Sequence, residues 1–141
     1  MLTCTLRGNH GGSTPVDLVR ALMDRAWRWW EEATPFSVGT LETQEDPGAH
    51  MEVHSYGSAE QPVGSAYGGP LYLLVDGGCF SACEDLLVIF KDNRRAVIVG
   101  ERTAGSSGQP YGRDLGDGMG IGLSTKRMYA PDGGAFEGVG V

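Results

Sequence analysis

One serine lies where the sequence changes from a buried strand to a helix. The segment "GGCFSACEDLL" (77–87) follows the apolar run "LYLLVD" (71–76), and Ser81 begins the predicted helix. Its hydroxyl can cap that helix, because Glu84 three residues later completes an S-x-x-E capping box. The same hydroxyl can act as a nucleophile if nearby backbone donors, such as the Ala82 N–H, stabilise an oxyanion. The local pattern is compatible with both roles.

A glycine-rich turn, "LRGNHGG" (6–12), is a second stretch that could take part in chemistry. Adjacent Gly11 and Gly12 allow the backbone to approach a ligand closely and to direct an N–H group into a site. His10 lies in the same turn and is a candidate base, although a histidine in a polar turn is more often simply solvated. The turn has neither the glycine spacing of a dinucleotide site nor the Gly-Lys-Ser/Thr of a phosphate-binding loop.

The composition excludes several classes of partner. The 141 residues carry a net charge of -7, with 11 Lys and Arg against 18 Asp and Glu, which disfavours nucleic acid and anionic membranes as partners. No stretch approaches the roughly 20 apolar residues of a membrane span. Cys4, Cys79 and Cys83 are an odd number without a metal-ligand spacing, so buried free thiols are expected, with no metal and no cofactor.

The elements that would position these residues indicate an α/β fold. Strands are predicted at 2–6, 71–76 and 95–100, and we expect them in one sheet with a parallel core. Helices at about 14–32 and from Ser81 to about Asn93 should cover this sheet.

The ends of these elements also have sequence signals. Thr14 is a plausible N-cap for the first helix with Pro15 at its first position, and Trp27, Trp29 and Trp30 are expected to pack on that helix. "HMEVHSY" (50–56) is a weaker strand candidate, and residues 33–50 are expected to be irregular. Turn signals at Asp117-Gly118 and Asp132-Gly133 predict hairpins near the C-terminus.

Four motifs together resemble the C-terminal processing (tail-specific) peptidases and their tricorn-like relatives, which are serine peptidases. The motifs are "TLRGNHGG", the S-A-x-E of Ser81 to Glu84, "DNRRAVIVGERTAG" (92–105) and "YAPDGGAFEGVGV" (129–141). The resemblance implies a crotonase-like (ClpP/crotonase) core with Ser81 as nucleophile. It also implies an oxyanion hole formed by the N–H of Ala82 and that of Gly11 or Gly12. Glu137 matches the glutamate of the tricorn-like branch.

The chain departs from this family where the general base should be. The lysine of the processing peptidases would fall at Ser106, and the histidine of the tricorn-like branch would precede Met1. His10 is therefore the first candidate for a base within the chain, and His50 and His54 are weaker ones. A serine without a base is a weak nucleophile, so we expect no appreciable peptidase turnover from the 141-residue chain alone.

Residues 1–141 are interpreted as one truncated catalytic core domain that acts on a peptide or protein substrate. The alternative is an inactive binding module on the same scaffold, because the interphotoreceptor retinoid-binding proteins, which bind apolar ligands, also resemble this domain. A homo-oligomer is compatible with the unpaired sheet edge that a truncated core would carry. The sequence does not indicate a cellular compartment.

Overall fold

The computed structural model describes residues 1–34, 52–53, 60–135 and 137–141. Its elements in chain order are β1 (Leu2–Thr5), α1 (Val16–Leu22), β2 (Glu31–Thr34), β3 (Glu52–Val53), β4 (Leu71–Val75), α2 (Ala82–Asp92), β5 (Val97–Gly100), β6 (Pro110–Gly116), β7 (Met119–Ser124) and β8 (Arg127–Tyr129). None of the helices in these ranges is long and apolar enough to cross a membrane.

A parallel three-stranded sheet forms the centre of the α/β fold. β4 lies between β1 and β5, with Leu2 opposite Leu71 and Tyr72 opposite Val97. Helix α2 makes the crossover from β4 to β5, the connection that parallel neighbours require. The three strands predicted at 2–6, 71–76 and 95–100 therefore lie in one sheet, and that prediction is confirmed.

Helix α2 packs the main hydrophobic core against this sheet. Every side chain from Ala82 to Phe90 is buried, which is why this segment is apolar on most of its circumference. Its apolar residues meet Leu73 and Val75 of β4 and the largest buried side chain, Trp27. Burial of one such aliphatic or aromatic side chain contributes about 1.5–3 kcal/mol, so α2 is a rigid base for its own first residues.

Two antiparallel sheets complete the described fold. β2 lies between β3 and β8, and β6 pairs with β7 as a hairpin. The hairpin turns at Asp117 and Gly118, both with positive φ (52° and 74°), as the Asp-Gly signal predicted. Strand β2 was not predicted from the sequence. Of the predicted strand at 50–56, residues 52–53 are β3 and the rest lies outside the described residues, as do 35–49.

The predicted first helix at 14–32 is too long. Helix α1 ends at Leu22, because Met23 adopts an extended conformation (φ -91°, ψ 101°). Trp27 then forms an isolated β-bridge with Glu60, and the Arg28 N–H donates to the side chain of Asn93. The tryptophans therefore pack from an irregular segment, so their helix-like spacing was misleading.

Two further expectations about local bonding are wrong. Thr14 does not cap α1: Pro15 is at the cap position without a side-chain hydrogen bond, and the Thr14 hydroxyl donates to Asp85 instead. Cys79 and Cys83 are buried as expected, but they form a disulfide rather than free thiols. Their Cα atoms lie 5.7 Å apart, within the range that a disulfide can bridge.

Candidate active site

Ser81 precedes the first residue of α2 in an unusual backbone conformation. Its φ is 57° and its ψ is -133°, a region that residues other than glycine rarely occupy. Its side chain makes no capping hydrogen bond, so the capping-box interpretation is wrong. Strained, sparsely populated conformations cluster at functional sites because the surrounding structure must enforce them. The half-buried Ser81 hydroxyl is therefore positioned for something other than helix capping.

Glu84, the other half of the supposed capping box, binds a loop instead. Its fully buried carboxylate accepts hydrogen bonds from the Thr103 hydroxyl (2.5 Å), the Gly105 N–H (2.7 Å) and the Ser106 N–H (2.8 Å). The Ser81 N–H in turn donates to the Ser106 carbonyl at 2.7 Å. These contacts fasten the loop 104–109 beside the start of α2.

The glycine turn lies directly against Ser81. A Cβ on Gly11 would be 2.6 Å from the Cβ of Ser81 and 3.1 Å from its Oγ, so only glycine fits there. The Gly11 N–H donates to the Asn9 side chain at 2.9 Å, so the N–H of Gly11 is already used within the turn. Within the described part of the chain, the N–H groups of Gly12 and Ala82 have no hydrogen-bond acceptor.

Ser81 lines a cavity of about 530 Å³ between these segments. The predicted loop 104–109 borders it, as expected. Its lining residues are Gly12, Ser13, Thr14, Trp30, Glu32, Ser81, Asp85, Ser107, Gly108, Gln109, Pro110, Lys126 and Met128. The Lys126 ammonium in this wall forms an ion pair with Glu32 at 2.8 Å.

Glu137 lies on the other side of the loop 104–109. Its Oε1 accepts the Ser107 N–H at 3.1 Å, and its side chain is not part of the cavity wall. Partial burial raises the pKa of this carboxyl, and the charges of Glu84 and Asp85 add to the effect. The structure therefore brings Glu137 to the loop beside Ser81 but not into contact with Ser81 itself.

His10 is near the site but does not bind Ser81. Its ring stacks on Phe80, with centroids 5.2 Å apart and an interplanar angle of 17°. It is exposed, makes no hydrogen bond to Ser81 and does not line the cavity. His50 and His54, the weaker candidates, lie outside the described residues.

Sequence reasoning missed Asp85, which lines the cavity one helical turn after Ser81. Its Oδ2 accepts the Thr14 hydroxyl at 3.1 Å and its Oδ1 accepts the Ser107 hydroxyl at 2.9 Å. Burial raises the pKa of Asp85 to about 6. The i, i+4 spacing from Ser81 was the one signal that could have indicated it, since such residues share a helix face.

The motif geometry and comparison with known families agree on the class of protein. The profile of "Peptidase family S41" matches residues 6–141. The chain belongs to peptidase family S41.

Curated relatives and solved structures support the same family. The chain is 32% identical over 142 residues to "C-terminal processing peptidase, chloroplastic" of Tetradesmus obliquus, covering 99% of this chain and 27% of that protein. It is 34% identical over 127 residues to "Carboxyl-terminal-processing protease" of Synechocystis sp., covering 89% and 26% respectively. The chain thus spans about a quarter of the length of these relatives.

Among solved structures, "Photosystem II D1 C-terminal processing protease" superposes with a TM-score of 0.63 at 30% identity, covering 99% of this chain and 32% of that one. Mature CPAF complexed with lactacystin superposes with a TM-score of 0.75 at 19% identity, covering 99% and 38%. Because its identity to this chain is 19%, the similarity to CPAF supports the fold alone.

Proposed function

We propose that this chain carries the nucleophile of a serine-type C-terminal processing peptidase and that Ser81 attacks a substrate peptide carbonyl to form an acyl-enzyme. The observation that carries the proposal is the backbone of Ser81, which holds a non-capping hydroxyl at the edge of a cavity. The fold would be a crotonase-like core, as the family resemblance implies.

The oxyanion of the tetrahedral intermediate would be stabilised by two backbone N–H groups from separate segments. The Ala82 N–H is at the N-terminus of α2, where the helix dipole also favours negative charge. The Gly12 N–H comes from the glycine turn, and neither group is bound within the described residues. Preorganised donors of this type lower the barrier more than the nucleophile can alone, with each donor accounting for about 10²–10³ in rate.

The base that activates Ser81 would come from residues beyond the described part. Within that part, no histidine or lysine makes a hydrogen bond to Ser81: His10 stacks on Phe80, and the Lys126 ammonium pairs with Glu32. Glu137 would act through the base, as the glutamate of the tricorn-like branch does, and Ser106 takes the place of the family lysine. The substrate would be a peptide or protein chain.

Labelling with a fluorophosphonate probe tests this proposal in the protein expressed from its complete gene. We expect the probe to attach to Ser81 and the Ser81→Ala variant to lose labelling and peptide cleavage. Ser106→Ala is the matched control, because the neighbouring Ser106 contributes backbone atoms alone to the contacts around Ser81. Equal labelling of the wild type and the Ser81→Ala variant would disprove the nucleophile assignment.

The second candidate is a binding module that has kept the scaffold without the chemistry. Two observations favour it: Ser106 stands at the family lysine position, and Trp30, Met128 and Pro110 give the cavity an apolar wall. Retinol serves as the apolar probe, since it quenches tryptophan fluorescence on binding. Saturable quenching that Trp30→Ala weakens, without labelling of Ser81, would favour the binding module over the peptidase.

A further inference from the structure

We propose that Asp85 is a positioning residue whose carboxylate holds the glycine turn and the loop 104–109 against α2, so that both face Ser81. The proposal rests on the proposed function, because the geometry it maintains is that of the Ser81 cavity. Asp85 is not proposed as a catalytic residue, since its carboxylate bonds to Thr14 and Ser107 and not to the Ser81 hydroxyl.

The two hydrogen bonds of Asp85 join the three segments that surround the nucleophile. Asp85 itself is on α2, four residues after Ser81. Thr14 follows the glycine turn that carries Gly12, and Ser107 is in the loop fastened by Glu84. One carboxylate therefore connects the helix of the nucleophile with the oxyanion segment on one side and with the loop beside Glu137 on the other.

The surroundings of Asp85 make the ionised form of its carboxyl energetically unfavourable. The side chain is buried, and Glu84 on α2 and Glu32 on β2 both oppose its ionisation. Glu137 adds a further nearby carboxyl, and the Lys126 ammonium in the cavity pairs with Glu32 instead. A buried carboxylate without an ion-pair partner does not favour stability, and such groups are candidates for a functional role.

The ionisation state of Asp85 determines whether both of its carboxyl oxygens can accept a hydrogen bond. The carboxylate accepts from the Thr14 and Ser107 hydroxyls at once, whereas the protonated acid carries a hydrogen on one oxygen. The hydroxyl facing that oxygen would then have to turn and accept. Hydrogen bonds to an ionised acceptor are also roughly twice as strong as neutral ones, so protonation weakens the links on both sides.

The rate of fluorophosphonate labelling at Ser81, measured from pH 5 to pH 8 in the protein expressed from its complete gene, tests the chemical consequence. We expect Asp85→Asn to reduce the rate about tenfold or more at pH 7.5, since small displacements of an oxyanion donor have effects of this size. In the wild type the rate should rise near pH 6 as the Asp85 carboxyl ionises, and the variant should lose this rise. Asp17→Asn, an exposed carboxyl on α1, is the matched control.

Thr14 variants separate hydrogen bonding from packing. Thr14→Val keeps the side-chain shape and loses the hydroxyl, so the rate of labelling at Ser81 should fall in this variant, as it does in Asp85→Asn. Thr14→Ser keeps the hydroxyl and should restore most of the rate. A wild-type rate and pH profile in Asp85→Asn would overturn the proposal.

Amide hydrogen exchange at fixed pH gives a readout that does not depend on Ser81 reactivity. Asp85→Asn should speed exchange in both 8–14 and 104–109 without a loss of thermal stability. Unchanged exchange in these segments overturns the positioning role even if the wild type labels normally. Faster exchange together with an unlabelled wild type would instead keep the positioning role and reject the proposed peptidase.

Discussion

Ser81 combines a costly backbone conformation with a hydroxyl that its own helix does not use. A positive φ at a residue other than glycine costs of order 1–3 kcal/mol, and the contacts of its N–H with Ser106 and of its Cβ region with Gly11 hold it there. The S-x-x-E pattern could not reveal this. The same S-x-x-E spacing is compatible with a capping box and with a serine nucleophile followed by a glutamate that binds a loop. The partners that distinguish the two arrangements are distant in sequence.

Gly11→Ala should disable the site by a direct clash. The added Cβ would lie 2.6 Å from the Cβ of Ser81, at a φ of 93°, so the turn or Ser81 must move. We expect labelling of Ser81 to fall at least tenfold. Gly8→Ala has a positive φ (67°) without any atom within 4 Å of the new Cβ, so it measures the backbone strain alone. Similar labelling rates in the two variants would contradict the close-packing argument.

Strand positions followed the sequence where an apolar run lies between turn residues. β4 and β5 lie within the ranges predicted for them, and the Asp117-Gly118 hairpin has its own φ requirement, so these predictions are confirmed. Val97 and Val99 of β5 are nevertheless exposed, and the strand begins two residues later than predicted. Helix α1 was overextended because the tryptophans mimic a helical stripe, while their real partners, Glu60 and Asn93, are distant in sequence. The Cys79–Cys83 disulfide and the role of Asp85 likewise depend on contacts that no local pattern contains.

Glu84→Gln tests the link between α2 and the loop 103–106. The amide retains one acceptor oxygen, but its NH₂ group would face the N–H donors of the loop. Since hydrogen bonds to a charged group contribute about 1.5–3 kcal/mol, we expect the free energy of unfolding to fall by about 3 kcal/mol in a denaturant titration.

The matched control for Glu84→Gln is Glu101→Gln, an exposed carboxyl of the same sequence region. It should change the free energy of unfolding by less than about 0.5 kcal/mol. A change that small in Glu84→Gln itself would show that the three hydrogen bonds of its carboxylate do not stabilise the fold. Labelling of Ser81 in both variants would then show whether the loop still supports the site.

On the scale of the whole molecule, a few of the 18 Asp and Glu residues lie close together around the cavity. Glu32, Glu84, Asp85 and Glu137 all lie near the loop 104–109. Burial raises the pKa of Asp85 and of Glu137, and repulsion from the neighbouring carboxyls adds to the effect. A fold selected for stability alone would replace or pair the Asp85 and Glu137 carboxyls, whereas Glu32 already has an ion pair with Lys126. The contribution of Asp85 and Glu137 to stability is therefore expected to depend on pH in a direction opposite to that of a salt-bridged acid such as Asp24.

Asp85→Asn should reveal this dependence in the free energy of unfolding. Burial raises the pKa of Asp85 from 3.8 to about 6, so between these values the folded chain holds a proton that the unfolded chain has lost. The contribution of Asp85 to stability therefore falls as the pH rises through this window and is constant above it. Two pKa units correspond to about 3 kcal/mol. The free energy of unfolding of Asp85→Asn, measured relative to that of the wild type by denaturant titrations, should thus rise by about that amount from pH 4 to pH 7. Asp17→Asn corrects for the loss of one surface charge. If the stability difference between Asp85→Asn and the wild type does not change with pH, the Asp85 carboxyl is not desolvated.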